Sequence, residues 1–155
     1  MCLSVGEFLD RPGQHLPLKI TLPGGRETDD ELRVVEEIVL EGEAFAQLSV
    51  LYVIVHIRAR LRQSCRRCLV PVTTTLELDE AFEVPIPPST DTVDVRPEAL
   101  KLVLSAHDPN VLCRPGCRGL CPVCGTDLNR HPDHDCGAAD ERRTLGELIS
   151  WTEDS

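Results

Sequence analysis

The sequence predicts an α+β protein with a mainly antiparallel β body, one or two helices and a Cys-rich C-terminal module. Three observations lead to this fold class: a long segment in which apolar and polar residues alternate, one short amphipathic segment, and a stretch of cysteine, glycine and proline without periodicity. A chain of 155 residues is long enough to bury a core in one domain without disulfides.

The clearest strand is predicted for residues 47–62, where side chains alternate with period two and β-branched residues are frequent. One face is apolar and the other ends in three arginines, as in an antiparallel sheet with one face in water. Residues 70–84 are predicted to return beside it, which places Cys65-Arg-Arg-Cys68 at the tip of a hairpin. The apolar face comprises Leu51, Val53, Val55, Ile57, Ala59 and Leu61, and the polar face comprises Tyr52, Ile54, His56, Arg58, Arg60 and Arg62.

Two further strands are predicted upstream, at residues 16–22 and 34–40. The first ends at Pro23-Gly24-Gly25, and residues 28–37 are acidic and polar enough to form a loop or an edge. The string Glu41-Gly42-Glu43 predicts a turn after the second strand.

A helix is predicted for residues 97–107, because Pro97 suits a first turn and Leu100, Val103 and Leu104 share one face. Residues 89–95 before it are predicted to be a polar connector. Asp140 is expected to cap a last helix that carries Leu145, Leu148 and Ile149. The expected organisation is a β-rich body at residues 1–108, a Cys-rich module at 109–139, and a helix with a tail at 140–155.

Composition and charge exclude several classes of protein. The net charge of −10 argues against a generic basic nucleic-acid binder. No apolar run approaches the ~20 residues of a membrane span. The first ten residues lack the basic start and apolar stretch of a signal peptide. A cytoplasmic protein is therefore expected.

Seven of the eight cysteines lie in two tight groups, with the spacings Cys65-x2-Cys68 and Cys113-x3-Cys117-x3-Cys121-x2-Cys124 followed by Cys136. A Cys-x2-Cys turn brings two sulfur atoms to one ion, so two such pairs indicate structural zinc. Disulfides fit less well without an export signal. A redox pair fits less well because residues 69–71, which follow Cys68, predict a strand and not the helix N-terminus that often lowers a redox thiol's pKa. Buried free thiols do not cluster with proline and glycine. We therefore expect one or two structural Zn²⁺ ions in the Cys-rich module.

The residues allow three partitions of the ligands, and Cys2 is set aside as a free thiol. The preferred partition gives each of two ions four ligands, with His134 as the eighth; His131 could replace it. A rival partition joins the two Cys-x2-Cys pairs on one ion, and a third joins the four cysteines from 113 to 124. The first two tie the hairpin tip to the C-terminal module. The preferred sets are Cys65, Cys68, Cys113 and Cys117, then Cys121, Cys124, His134 and Cys136.

Positive charge is concentrated beside the cysteines. Residues 44–76 contain five arginines and no acid, so the rest of the chain carries −15. Arg58, Arg60 and Arg62 are expected to form a stripe in solvent that meets RNA phosphate. The acidic remainder could equally meet a basic ribosomal protein. Arg66, Arg67, Arg114 and Arg118 are expected to offset the charge of zinc thiolates, with N–H groups directed at sulfur.

The chain resembles the YceD family, the large ribosomal RNA subunit accumulation proteins. The strings that carry the resemblance are Asp10-Arg-Pro-Gly13, Ser64-Cys-Arg-Arg-Cys-Leu69 and Cys113-Arg-Pro-Gly-Cys-Arg-Gly-Leu-Cys-Pro-Val-Cys-Gly-Thr-Asp-Leu-Asn129. The resemblance implies a bacterial cytoplasmic protein that supports accumulation or processing of large-subunit rRNA. It also implies a genomic association with a zinc-ribbon ribosomal protein, and it carries no catalytic residue over. Many members end the module with Cys-x-Cys, where this chain has His134-Asp-Cys136.

The sequence therefore predicts a non-catalytic factor in bacterial large ribosomal subunit biogenesis. The expected partners are large-subunit rRNA or a pre-ribosomal particle and a basic ribosomal protein, with no membrane and no small-molecule substrate. The alternative is a zinc-stabilised adaptor that binds only proteins. No Ser-His-Asp, paired-carboxylate or Gly-rich phosphate pattern indicates an enzyme.

Overall fold

A computed structural model describes residues 2–25 and 33–136, and it confirms a mainly antiparallel β protein with two helices. The sheet is a four-stranded meander in which neighbours in sequence are neighbours in space. A separate two-stranded sheet joins the first strand to the last. The elements are β1 (Cys2–Ser4), α1 (Gly6–Asp10), β2 (Leu16–Gly25), β3 (Arg33–Gln47), β4 (Val50–Ser64), β5 (Pro71–Pro85), β6 (Thr92–Asp94) and α2 (Arg96–Ala106).

Strand β4 lies inside the sheet, between β3 and β5, and its alternation is confirmed. Every residue of the predicted apolar face is buried, whereas those of the polar face are exposed or half-buried. β5 pairs with β4 over its whole length, from Pro71 opposite Ser64 to Pro85 opposite Val50. The hairpin tip therefore falls at residues 65–70, where the sequence placed it.

Strand β3 is much longer than the sequence predicted, and the expected turn at residues 41–43 is wrong. Gly42 lies within β3 and pairs with both Leu18 and Val55. A Cβ atom at Gly42 would lie 2.2 Å from the backbone oxygen of Ile54. Glycine is needed here because two strands approach closely, and not because the chain turns.

The real turn between β3 and β4 is formed by Leu48 and Ser49. Both have positive φ, 50° and 62° respectively, as a two-residue turn of the I′ class requires. Neither residue is Gly or Asn, the usual occupants, so this turn could not be predicted from the sequence. The sequence instead predicted that the strand begins at residue 47.

The buried face of the sheet is covered by short elements that flank it. Val5 and Phe8 from the N-terminal segment join the same core as Val95 and Val103 from the α2 segment. The helix predicted at residues 97–107 is confirmed as α2. The predicted connector at 89–95 contains β6, which pairs with β1.

Residues 107–136 contain no helix or strand, only turns and an isolated bridge between Leu120 and Asp127. The helix predicted from Asp140, with Leu145, Leu148 and Ile149, lies outside the described residues, as does the proposed 140–155 segment. None of the described helices is long and apolar enough to cross a membrane.

Candidate metal centres

The first Cys-x2-Cys turn begins where β4 ends. Cys65 donates its backbone N–H to the oxygen of Val70 at 2.8 Å, and Leu69 donates to the oxygen of Cys65 at 2.9 Å. Leu69 closes the turn with a φ of 62°, a conformation that glycine usually adopts. These backbone bonds hold Cys65 and Cys68 on the same side of the turn.

Backbone hydrogen bonds join this turn to the C-terminal module. Arg66 donates to the oxygen of Val111 at 2.9 Å, and Leu120 donates to the oxygen of Arg67 at 3.0 Å. Gly119 has a φ of 79°, and a Cβ atom there would lie 2.9 Å from the oxygen of Arg67. The two contacts flank residues 113 and 117 in sequence and bring them to the hairpin tip.

The first tetrad consists of Cys65, Cys68, Cys113 and Cys117, whose sulfur atoms all lie within 4.8 Å of one another. The sulfurs of Cys68 and Cys113 are 3.5 Å apart, and those of Cys65 and Cys117 are 3.9 Å apart. A tetrahedron with Zn–S bonds of ~2.3 Å has edges of about 3.8 Å. A disulfide would need about 2.05 Å. The spacing therefore fits one tetrahedral ion.

The surroundings of the first tetrad are apolar. Cys65 and Cys117 are completely buried, and Val72, Leu112 and Leu120 pack against the cluster. Water is largely excluded on that side, so charge on the sulfurs must be compensated by an ion or by N–H donors.

N–H donors are directed at two of these sulfurs. Burial raises the pKa of Cys65, but the backbone N–H groups of Cys68, Cys113 and Arg67 outweigh it and lower that pKa to about 6. At Cys117 burial again opposes, while the Asn129 side chain and the backbone N–H of Gly119 lower the pKa. Such donors favour the thiolate, which is the form that binds metal.

The other two cysteines of the first tetrad keep their protons more firmly. The hydrogen bond between Cys113 and Cys68 raises the pKa of Cys113 to about 12. The pKa of Cys68 is also raised: the Val70 backbone N–H lowers it, but burial and the Cys65 and Cys117 sulfurs outweigh that N–H. Four adjacent sulfurs cannot all carry negative charge unless a cation is bound among them.

The second Cys-x2-Cys turn repeats the backbone pattern of the first. Cys121 donates to the oxygen of Thr126 at 2.8 Å, and Gly125 donates to the oxygen of Cys121 at 2.9 Å. Gly125 has a φ of 74°, at the position that Leu69 occupies in the first turn. The N–H groups of Cys124 and Val123 lower the pKa of Cys121. The two turns therefore have equivalent backbone geometry.

The second tetrad consists of Cys121, Cys124, His134 and Cys136, whose ligand atoms also lie within 4.8 Å of one another. The sulfur of Cys124 is 3.2 Å from Nε2 of His134. The hydroxyl and backbone N–H of Thr126 lower the pKa of Cys124 to about 6. Hydrogen bonds to the sulfurs of Cys121 and Cys124 raise the pKa of His134. Only Cys121 is buried, so this site is the more open one.

The structure groups the eight residues as in the preferred partition. The rival set, with both Cys-x2-Cys pairs on one ion, and the set of residues 113–124 are not brought together. His131 is exposed and belongs to neither tetrad.

Asn129 is a functional residue that sequence reasoning missed. Its Nδ2 donates to the sulfur of Cys117 at 3.5 Å, and its Oδ1 accepts from the backbone N–H of Arg118 at 2.9 Å. It lies twelve positions beyond Cys117, so no spacing rule links the two residues.

The arginines near the cysteines bind oxygen rather than sulfur. Arg67 donates to the backbone oxygen of Cys117 at 2.8 Å, and Arg66 donates to Oδ1 of Asn110. Arg114 donates to Oδ1 of Asn129, and Arg118 donates to the backbone oxygen of Pro132, both at 2.8 Å. The expected guanidinium N–H bonds to sulfur are therefore replaced by bonds that brace the loops around the tetrads.

The stripe of Arg58, Arg60 and Arg62 lies on the exposed face of the sheet, with all three side chains in solvent. Nε of Arg58 forms an ion pair with Glu77 at 2.8 Å. Within residues 2–25 and 33–136, no acid forms an ion pair with Arg60 or Arg62. The free positive charge of the stripe is therefore at its metal-proximal end, next to Ser64 and Cys65.

Comparison of the chain with protein-family models, with curated proteins and with solved structures finds no match.

Proposed function

We propose that both tetrads hold structural Zn²⁺. The ligand sets are four thiolates and three thiolates with one imidazole, which are common structural zinc sets. The supporting observation is the sulfur spacing of 3.5 and 3.9 Å in the first tetrad. No coordination position is left for a water or a substrate, so the metal would act on folding rather than on chemistry.

We further propose that the protein is a non-catalytic, cytoplasmic factor in large ribosomal subunit biogenesis, as the resemblance to the YceD family implies. The observation that carries this proposal is the position of Arg60 and Arg62. They are unpaired among the described residues and lie on the exposed sheet face, a few residues from the first tetrad. Charged groups in that position suit the backbone of rRNA rather than its bases.

Charge is divided between the two ends of the exposed sheet face. The end nearest the tetrads carries Arg60 and Arg62, with Glu37 of β3 opposite Arg60, and the opposite end carries Glu43 and Glu83. Such a division favours one orientation on a highly charged particle, with the metal end toward phosphate and the acidic end away from it. In this arrangement zinc holds the C-terminal module beside the RNA-facing end.

The alternative function is a zinc-stabilised adaptor that binds proteins and makes no contact with RNA. It is favoured by contacts in the middle of the exposed sheet face: ion pairs of Arg58 with Glu77 and of Lys19 with Glu41 at 2.6 Å, and a hydrogen bond between His56 and Asp79 at 2.8 Å. A face in which adjacent strands neutralise one another attracts phosphate weakly.

The two functions are separated by reversing charge at Arg60→Glu and Arg62→Glu together. The RNA proposal predicts that crosslinking to large-subunit rRNA falls about tenfold and weakens with salt. Arg11→Glu, at the C-terminal end of α1, is the control for a charge reversal elsewhere and should leave crosslinking unchanged. Unchanged crosslinking and unchanged rRNA levels in the double variant would leave the adaptor as the function.

A further inference from the structure

Strand β5 forms one edge of the four-stranded sheet, and α2 and β6 also contact it. It pairs with β4 across all 15 residues without a bulge. On an antiparallel edge strand every second residue directs its N–H and C=O away from the sheet. Among the described residues, no backbone hydrogen bond from outside the sheet reaches residues 71–85. A row of backbone groups along β5 is therefore available to another chain.

The opposite edge, β2, is protected against pairing with another strand. It contains Pro17, Lys19 and Pro23, and proline and lysine are residue types that discourage edge-to-edge pairing. Between its terminal prolines, β5 has no proline, lysine or arginine. The two edges of one sheet thus differ, and within residues 2–25 and 33–136 only β5 offers an edge of this sheet without an internal proline or lysine.

Charge on β5 limits which strand can be added. The strand carries Glu77, Asp79, Glu80 and Glu83, and no base. Glu77 and Asp79 pair with side chains of β4, whereas Glu80 and Glu83 are exposed and have no ion-pair partner within the described residues. A second copy of β5 would bring like charges together, which disfavours self-pairing. A basic segment would neutralise them.

Three apolar side chains of β5 are also only partly covered by the rest of the protein. Leu76, Leu78 and Phe82 project toward the core face but are only half-buried. Glu80 is on the same face, opposite the buried Val55, and is exposed. An added strand with alternating apolar and basic residues would cover the first three and neutralise the fourth.

We propose that β5 is a docking edge for an extended, basic polypeptide segment of a partner protein, which adds a fifth strand to the sheet. The inference goes beyond the proposed function because it rests on the sheet alone and does not require contact with RNA. Main-chain hydrogen bonds supply affinity, and the acidic residues select a basic partner over an acidic or neutral one.

The test uses the full zinc-loaded chain and a synthetic peptide of about twelve residues in which arginine and valine alternate. The expected result is binding that protects alternate backbone amides of residues 71–85 from hydrogen exchange in NMR spectra. Two control peptides separate the contributions: one has glutamate in place of arginine, and the other keeps arginine but carries N-methyl groups on every second amide. Both should bind at least about tenfold more weakly.

A variant carrying Glu80→Lys and Glu83→Lys should bind the arginine peptide about tenfold more weakly. The matched control is Glu7→Lys with Asp10→Lys, which reverses the same amount of charge on α1. This helix contacts β3, so the control should bind the peptide normally.

The N-methyl comparison needs no variant and so holds even if the charge reversal unfolds the sheet. Equal binding of the N-methyl peptide, protection outside residues 71–85, or a dimer formed through β5 would overturn the proposal. Because Arg60→Glu with Arg62→Glu leaves β5 intact, peptide binding should survive in that variant whether or not RNA binding fails.

Discussion

At the scale of single residues, each tetrad depends on small donors placed around sulfur. Backbone N–H groups set the pKa of Cys65 and Cys121, and the Asn129 side chain contributes at Cys117. The sequence predicted the eight residues of the two tetrads because Cys-x2-Cys spacing reflects local turn geometry. It could not predict Asn129, because that contact depends on how loops fold over one another. Nor did it predict that the arginines would bind carbonyl and amide oxygens.

Asn129→Asp should weaken zinc binding at the first tetrad by ten- to a hundredfold, on the order usual for groups that support a metal ligand. The substitution replaces an N–H donor to Cys117 with a negative oxygen. Competition with a chromophoric chelator measures the loss. Asn110→Asp is the control, because Asn110 accepts a bond from Arg66 and its side chain has no bond to sulfur. Equal weakening in both variants would show that the loss is not specific to the sulfur contact.

Zinc binding at the first tetrad should strengthen as pH rises. At pH 7 Cys113, with a pKa of about 12, and Cys68, with a raised pKa, keep their protons, whereas Cys65, at about 6, is mainly thiolate. Zinc must displace at least the protons of Cys113 and Cys68, so its apparent affinity should rise at least about a hundredfold per pH unit near neutrality. Below about pH 6 the dependence should become steeper, as Cys65 is protonated too. Chelator competition across this range, with Cys121 and Cys124 changed to serine, measures the slope, and a flat profile would contradict this account.

At the scale of elements, the alternation of apolar and polar residues predicted β4 correctly, whereas the glycine within β3 led to a wrong strand boundary. Period-two alternation predicted β4 because one of its faces is buried throughout and the other is wet. β3 contains glycine in mid-strand, where β4 approaches closely, and its turn contains Leu48 and Ser49 rather than glycine. Taking Gly42 as a turn residue therefore predicted the wrong end for β3. The short elements β1, α1 and β6 have too few residues for any period to show.

Replacing Leu48-Ser49 by Asn-Gly should stabilise the protein by about 1–2 kcal/mol. Left-handed backbone costs ordinary residues roughly this amount, and Asn-Gly adopts it readily. Leu48 is 90% exposed, so little packing is lost. Urea unfolding of the zinc-loaded protein measures the gain. The double change to alanine removes the same exposed leucine but keeps both Cβ atoms, so it should give no gain; an equal gain would mean that relief of backbone strain is not the cause.

At the scale of the whole molecule, the hairpin tip and the C-terminal module are joined by two backbone hydrogen bonds and by the first tetrad. Closing the loop of residues 69–112 costs roughly 3 kcal/mol in chain entropy. A structural zinc site contributes about 10–16 kcal/mol. With the proposed zinc bound, metal would therefore dominate the connection, since residues 107–136 have no helix or strand of their own. The division of the chain into a body and a module at residue 109 stays a prediction from composition. The backbone hydrogen bonds that join the hairpin tip to residues 111 and 120 could not be predicted, because they depend on how the loops fold over one another.

Chelation of the native protein should expose the module to protease while the sheet stays folded. Cleavage is expected within residues 109–136, because the proposed zinc would hold that segment, and not within β4, whose apolar face is buried in a core separate from the cysteine cluster. Limited proteolysis with mass spectrometry, with and without chelator, locates the cuts. Zinc added back should restore resistance, and a metal-free module that resists protease equally would contradict the claim.

The most direct test of the whole account is the metal content of freshly purified full-length protein, prepared without air or chelator and measured by native mass spectrometry. The account predicts two zinc ions per chain. One should remain when Cys121 and Cys124 are changed to serine, and that remaining ion should be the one that withstands chelator longer. A native protein that carries no zinc would contradict the central claim that shared ions join the hairpin tip to the C-terminal module.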